Sequence, residues 1–175
     1  MDEAGLDLLP GLVRTYAPEA HTPVIREKQT RDHLSVMGGM TPEGKVYALA
    51  RQESLNGLHC VEFLQHLLRV AGPRLLVIWD GSPMHRRAAV QEFVVGTHGK
   101  VWVEALPGYA PDLNPVEMIW AYLKHGRLAN FVPRHVRHLD RVVVGHLTEL
   151  RGDPALIRSL WAGSRLPFLD RNSPN

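Results

Sequence analysis

The chain has 175 residues, 45% hydrophobic and 22% charged, with 20 Lys+Arg against 18 Asp+Glu. That is the size and composition of one ordinary globular domain, and a net charge of +2 is too small to announce a partner. A single cysteine, Cys60, excludes an internal disulfide framework and an all-cysteine metal cage, and it suits a reducing cytoplasm. No uncharged stretch approaches the roughly 18 residues of a membrane span, and Asp2, Glu3 and Asp7 give the N-terminus the wrong sign for a signal peptide.

In chain order, Arg14 to Arg31 is polar and broken by Pro18 and Pro23, so it reads as loop or short irregular strand. His33–Met40 and Lys45–Arg51 flank the turn signal Thr41-Pro-Glu-Gly44 and predict a β-hairpin. Leu55–Ala71 switches to helical period. Leu58, Val61, Leu64 and Leu68, with Cys60, Phe63 and Leu67, form the apolar face, and His59, Glu62, His66 and Arg69 the polar one. Leu75–Trp79 is a continuous apolar run ending at Asp80, the pattern of a strand covered on both faces. Ser82-Pro83 can cap a helix over 84–97, Val101–Leu106 is the next strand, and Pro107–Pro115 must be loop. Val116–Leu128 is helical, and two further helices are expected over 134–150 and 154–162. The sum is a single mixed α/β domain, with Gly38-Gly39 read as a turn or bulge.

Charge is unevenly spread: residues 1–84 are net −2 and residues 85–175 net +4. The densest basic segment holds Lys124, Arg127, Arg134, Arg137 and Arg141 with His125, His135 and His138, against the lone acid Asp140. Such a segment can contact phosphates or be a solvated helix face. His59-x-x-Glu62-x-x-x-His66 has helical spacing, but without a third ligand it reads as a polar face rather than a zinc site.

Two acids stand out. Asp80 closes the central strand candidate, at the sheet edge where α/β folds bind ligands, although Asp80-Gly81 can equally be a plain turn. Glu117 opens the helix after the proline-rich loop, where Asn114-x-x-Glu117 resembles a capping box and a carboxylate ligand would need only another rotamer. The two are separated by 36 residues. Around them stand Trp79-Asp-Gly-Ser-Pro-Met-His85 and Leu106-Pro-Gly-Tyr-Ala-Pro-Asp-Leu-Asn-Pro-Val-Glu117-Met-Ile-Trp120. These blocks resemble those of DDE transposases of the mariner-like superfamily of bacterial insertion sequences, and Asp2-Glu-Ala-Gly5 resembles the family block that carries its first acid.

The resemblance covers about residues 2–130 and implies a ribonuclease-H-like mixed sheet flanked by helices, with Asp2, Asp80 and Glu117 as catalytic and metal-binding triad. Residues 1–130 would be the catalytic domain and 131–175 its C-terminal helical extension. Two Mg or Mn ions, roughly 3.5–4 Å apart in such enzymes, would activate the attacking oxygen and stabilise the leaving one. Asp80 would bridge them, with Asp2 and Glu117 each binding mainly one. His85 matches the family's histidine and could order a carboxylate or contact a phosphate. Asn114 would support Glu117 as helix cap, and Trp120 reads as core packing. Gly81 stands where the family usually has Asn. The implied activity is cleavage and transfer of double-stranded transposon DNA, with Lys124, Arg127, Arg134, Arg137 and Arg141 as candidate phosphate contacts, in a cytoplasmic enzyme with a homodimer among its candidate assemblies. An N-terminal helix-turn-helix half would be encoded upstream. A nuclease without strand transfer and an inactive remnant that only binds DNA are the alternatives. Only Met1 precedes Asp2, so the strand expected to end there should be missing and the sheet's first strand cut short.

Overall fold

The computed structural model describes residues 1–21, 23–25, 32–108 and 110–166. Part of the expected loop 14–31, Tyr109 of the proline-rich block and the end of the chain from 167 lie outside the described residues.

A strand does contain Asp2. It is β1 (Asp2–Asp7), and Asp2 opens it rather than closing it, so the expectation of a missing strand is corrected. Strand β1 pairs antiparallel with β2 (His33–Met40), which pairs antiparallel with β3 (Val46–Arg51). The β2–β3 hairpin closes as its sequence predicts: Gly44 adopts φ 89° and its N–H donates to the Thr41 carbonyl at 3.0 Å. Strand β4 (Leu75–Trp79) runs parallel to β5 (Val101–Ala105) in a second, two-stranded sheet. The Met1 amine donates to the Ile78 carbonyl at 2.7 Å, at the seam where β1 meets β4.

Helices α1 (Gly57–Val70) and α2 (Ala88–Gly96) pack on one side. There Cys60, Phe63, Leu64 and Leu67 meet Met37, Val77, Trp79 and Val90. Helices α3 (Val116–Ala121), α4 (Val136–Arg151) and α5 (Pro154–Ala162) build the opposite layer, where Ile119, Val143, Leu147 and Ile157 meet Leu6, Leu34 and Val36. Strand β2 is therefore the one buried from both sides, six of its eight residues fully. The sequence had assigned that place to Leu75–Trp79, but β4 alternates, burying Val77 and Trp79 while Leu76 and its partner Trp102 are each 63% exposed.

Other boundaries shift for local reasons. Helix α1 is capped by Asn56, whose side chain accepts from Leu58 and His59 N–H, while the His59 ring accepts from Asn56 N–H. That reciprocal cap, an ion pair from Glu62 to Arg51 and stacking of His66 near Phe63 occupy the three residues of the suspected zinc spacing. Leu58, expected inside, is 68% exposed. Helix α2 starts later than expected, because residues 82–87 form i to i−3 turns that fold His85 back under Trp79. Helix α3 ends at Ala121 and continues as a π-helical stretch, Tyr122–Arg127, closed by Leu128 N–H to Leu123 carbonyl at 2.8 Å.

Candidate functional site

Strand periodicity sends consecutive side chains to opposite faces, so Asp2 and Glu3 diverge at the start of β1. Asp2 points into the α3 layer and is only 5% exposed. One carboxylate oxygen accepts from Trp120 Nε1–H at 2.8 Å. That contact depends on Gly38, the Asp2 partner in the β1–β2 register: a Cβ there would stand 2.7 Å from the Trp120 ring. Gly38-Gly39 is therefore not a turn or bulge but a flat stretch inside β2 over which the indole lies. Burial first, and then the charge of Glu117, push the Asp2 pKa up to about 6.

Glu3 points to the α1 layer, where its Oε1 lies 2.7 Å from His85 Nε2. The other ring nitrogen of His85 faces the Asp80 carbonyl at 3.2 Å and the Asp80 carboxylate at 3.1 Å. The ring is stacked on Trp79 with centroids 4.2 Å apart and planes 6° from parallel. Burial alone would lower the imidazole pKa, but the hydrogen bond and charge of Glu3, aided by Asp80, outweigh it and the pKa is raised. Both ring nitrogens face acceptors, the arrangement an imidazolium satisfies.

Asp80 follows β4, and its Oδ1 also accepts from Ser82 N–H at 3.0 Å. The turn expected of Asp80-Gly81 and the aimed carboxylate thus coexist. Asp80, Gly81, Asn114 and Glu117 line a cleft of about 390 Å³ walled by the proline-rich loop. A side chain at Gly81 would meet only open space. Asn114, 3% exposed, accepts from Val116 N–H at 3.3 Å, but the reciprocal half of a capping box is not formed by Glu117. The local reading of Glu117 as a capping partner is thereby corrected. Carboxylate oxygens of Asp2, Glu3 and Asp80 lie within 4.8 Å of one another, and Glu117 stands outside that group, across the cleft. The donor set of Asp2, Asp80 and Glu117 is all carboxylate oxygen, the chemistry hard divalent cations require.

The basic residues do not act as one block. Arg127 donates to the Tyr122 hydroxyl at 2.7 Å, lies over that ring and reaches Glu149 at 3.9 Å. Lys124 is half-buried beside Asp7 in a separate groove. Arg134, Arg137 and Arg141 are exposed at the start of α4, and the last two are one turn apart on the same helix face. Sequence reasoning missed Glu3 and the hydrogen-bonding role of Trp120. The alternation of β1 and the turn from Asp80 to His85 were the signals for the first, and for the second nothing short of the register sufficed.

Among the described residues no helix is long and apolar enough to cross a membrane. Comparison with curated protein sequences finds no match. Among solved structures, the chain is similar to the Mos1 transposase paired-end complex with left transposon end, at TM-score 0.67 and 19% identity, covering 95% of this chain and 51% of that one. It is also similar to the mariner Mos1 paired end complex with Mg, at TM-score 0.64 and 17% identity, covering 92% and 52%. For the isolated catalytic domain of Mos1 mariner transposase the values are 0.54 and 18%, with 77% and 76% covered. These likenesses show the fold, the ribonuclease-H-like mixed sheet that the sequence blocks implied, and this chain spans about half the length of the longer Mos1 chains. The family model described as DDE superfamily endonuclease matches residues 1–139, from the first acid to beyond the last, and by that match the chain belongs to the DDE superfamily of endonucleases.

Proposed function

We propose that this chain is the catalytic domain of a transposase, cutting and joining the ends of an insertion sequence with the aid of two divalent cations, Mg or Mn. Asp2, Asp80 and Glu117 are the metal ligands and catalytic residues of this reading. The observation that carries it is their convergence: Asp80 and Glu117 line one cleft, the Asp2 carboxylate lies beside that of Asp80, and the charge of Glu117 is felt by Asp2. Family membership and the neighbouring Mos1 structures, among them a paired end complex with Mg, support the reaction class.

Bound cations would supply activation of the attacking water or 3′-hydroxyl and charge stabilisation at the leaving oxygen. The chain's own groups prepare the acids. Trp120 fixes the rotamer of Asp2 through its N–H, and Ser82 N–H and His85 hold Asp80 from two sides. Glu3 in turn holds His85, and Asn114 ties the loop to the first turn of α3 so that Glu117 faces the cleft. Asp2 is a buried carboxylate whose hydrogen-bond donors, the Trp120 and Glu3 N–H groups, are neutral, a state that a cation would relieve.

Double-stranded transposon and target DNA would lie over the cleft. Arg134, Arg137 and Arg141 are the best phosphate contacts, Lys124 and Arg127 lesser ones. Helix-turn-helix modules outside residues 1–175, a second copy of the chain and action in the cytoplasm complete the reading, with residues 1–130 as the catalytic domain and 131–175 as its extension. The test supplies labelled transposon-end duplexes with Mn and follows both strand cleavage and transfer of a pre-cut 3′-hydroxyl. Cleavage and transfer together support the proposal. Cleavage without transfer would mark a nuclease, and DNA binding without either an inactive remnant.

A further inference from the structure

Three side chains meet on the far side of β1 from Asp2. Glu3, Cys60 on the inner face of α1 and His85 in the turn after β4 each offer one donor atom, and those atoms lie within 4.8 Å of one another. Cys60 is wholly buried and the His85 side chain is 1% exposed, while Glu3 and Asp80, at 14% and 46%, lead out toward the cleft. A thiol sulfur, an imidazole nitrogen and a carboxylate oxygen are the mixed donors of zinc-class ions, in contrast to the all-oxygen cleft beside them. The imidazole Nε2 is hydrogen-bonded to Glu3 at 2.7 Å, a contact in which the ion would take the place of the shared proton, and its Nδ1 faces the Asp80 carboxylate at 3.1 Å. Metal-bound histidines characteristically donate their second N–H to a carboxylate, which fixes tautomer and ring orientation.

We propose that Glu3, Cys60 and His85 form a binding site for a zinc-class divalent cation, distinct from the acid cleft and coupled to it through His85. The ion forms bonds to Glu3 Oε1, Cys60 Sγ and His85 Nε2, with water from the Asp80 side in the fourth position. The thiol proton and the Nε2 proton of His85 leave to solvent, and no electron changes hands. Because the ring that binds the ion also holds Asp80, occupancy ties down the orientation of that carboxylate. The coupling rests on the reading of Asp80 as a ligand of the cleft; the site itself does not.

The experiment is a titration of the metal-free chain with Co2+, read by absorbance and requiring neither DNA nor cleavage. One equivalent is expected to give a sulfur-to-cobalt charge-transfer band with intense tetrahedral d–d bands, and Zn2+ should displace it. Cys60→Ala should lose the charge-transfer band, and Glu3→Gln should weaken binding about tenfold or more, far-UV circular dichroism confirming that each variant folds. Should Cys60→Ala fail to fold, Cys60→Ser keeps the volume, replaces sulfur by oxygen and must also lose the band. Weak octahedral bands without sulfur charge transfer would place cobalt in the oxygen cleft and overturn the site. So would a Cys60 variant that binds as the wild type does. Zn2+ should slow Mg-dependent cleavage by the wild type but not by Cys60→Ala, and equal slowing of both would overturn the coupling.

Discussion

Asp2 and Glu3 are neighbours in sequence and opposites in surroundings. Asp2 turns into the α3 layer and meets a neutral donor, the Trp120 N–H, with another acid close enough to raise its pKa. Glu3 turns into the α1 layer and meets a histidine whose pKa rises in response. One side of the strand therefore holds a carboxylate left short of positive charge, the other a carboxylate already paired. A hard cation is drawn directly to the first kind, whereas on the second an ion has to displace the proton that His85 Nε2 shares with Glu3. Both arise from one strand because its side chains alternate.

The largest effects should fall on the uncompensated side. Asp80→Ala and Glu117→Ala are each expected to cut Mn-dependent cleavage by about 10³-fold or more, since a cation contributes several kcal/mol of charge stabilisation. Circular dichroism and the unfolding midpoint should stay near wild type, both residues sitting at the rim of the cleft. Residual cleavage in both variants would sink the assignment of these acids.

Next is the electrostatic cost of Asp2 itself. Its carboxyl is raised from 3.8 to about 6 on folding, so the folded chain binds protons more tightly than the unfolded chain between those values. The contribution of Asp2 to stability without metal should be most favourable below about pH 4 and fall as pH climbs through 6, by about 3 kcal/mol in all. Asp2→Asn should flatten that slope in urea unfolding measured across pH, and added Mg should flatten it in the wild type. A slope unchanged in Asp2→Asn would show that Asp2 is not the uncompensated group.

Much of this frame was legible in advance. Apolar periodicity and turn residues located the β2–β3 hairpin, α1, β4, β5 and α5, because those signals are local. Asp80 and Glu117 could be paired from spacing and from the blocks around them. Three things depended on register or packing instead. Which strand lies at the centre is decided by helices on both faces of β2, and a short apolar run such as Leu75–Trp79 reads the same whether one face is covered or two. Trp120 reads as core on any helical wheel, and its bond to Asp2 exists only because Gly38 lies opposite Asp2. Glu3 lies 82 residues from His85 in sequence, and only the turn that folds the ring under Trp79 brings them together.

The Trp120 contact separates packing from hydrogen bonding. Trp120→Phe keeps an aromatic ring over Gly38 but removes the side-chain donor on Asp2, at an expected cost of about 2 kcal/mol when that carboxylate is charged. Loss of ring volume alone would act at every pH. The difference from wild type should therefore be larger at pH 7.5 than at pH 4, where Asp2 is protonated in both folded proteins. A deficit independent of pH would mean that the indole serves Asp2 by packing alone.

The smallest effect belongs to the compensated side. Glu3→Gln keeps an oxygen facing His85 Nε2 but removes its charge, and exchanging a charged for a neutral acceptor costs about 1 kcal/mol. A histidine whose pKa rises on folding stabilises the folded state most fully below its unfolded value, near 6.5, and that contribution fades as pH rises through the folded one. Glu3→Gln should thus be less stable than wild type at pH 5.5 and approach it at alkaline pH, the reverse of the profile expected for Trp120→Phe. Ring-proton resonances of His85 should titrate at lower pH in the variant. If Glu3→Gln instead loses stability most at alkaline pH, then the partner through which the Glu3 charge stabilises the fold is not the His85 imidazolium.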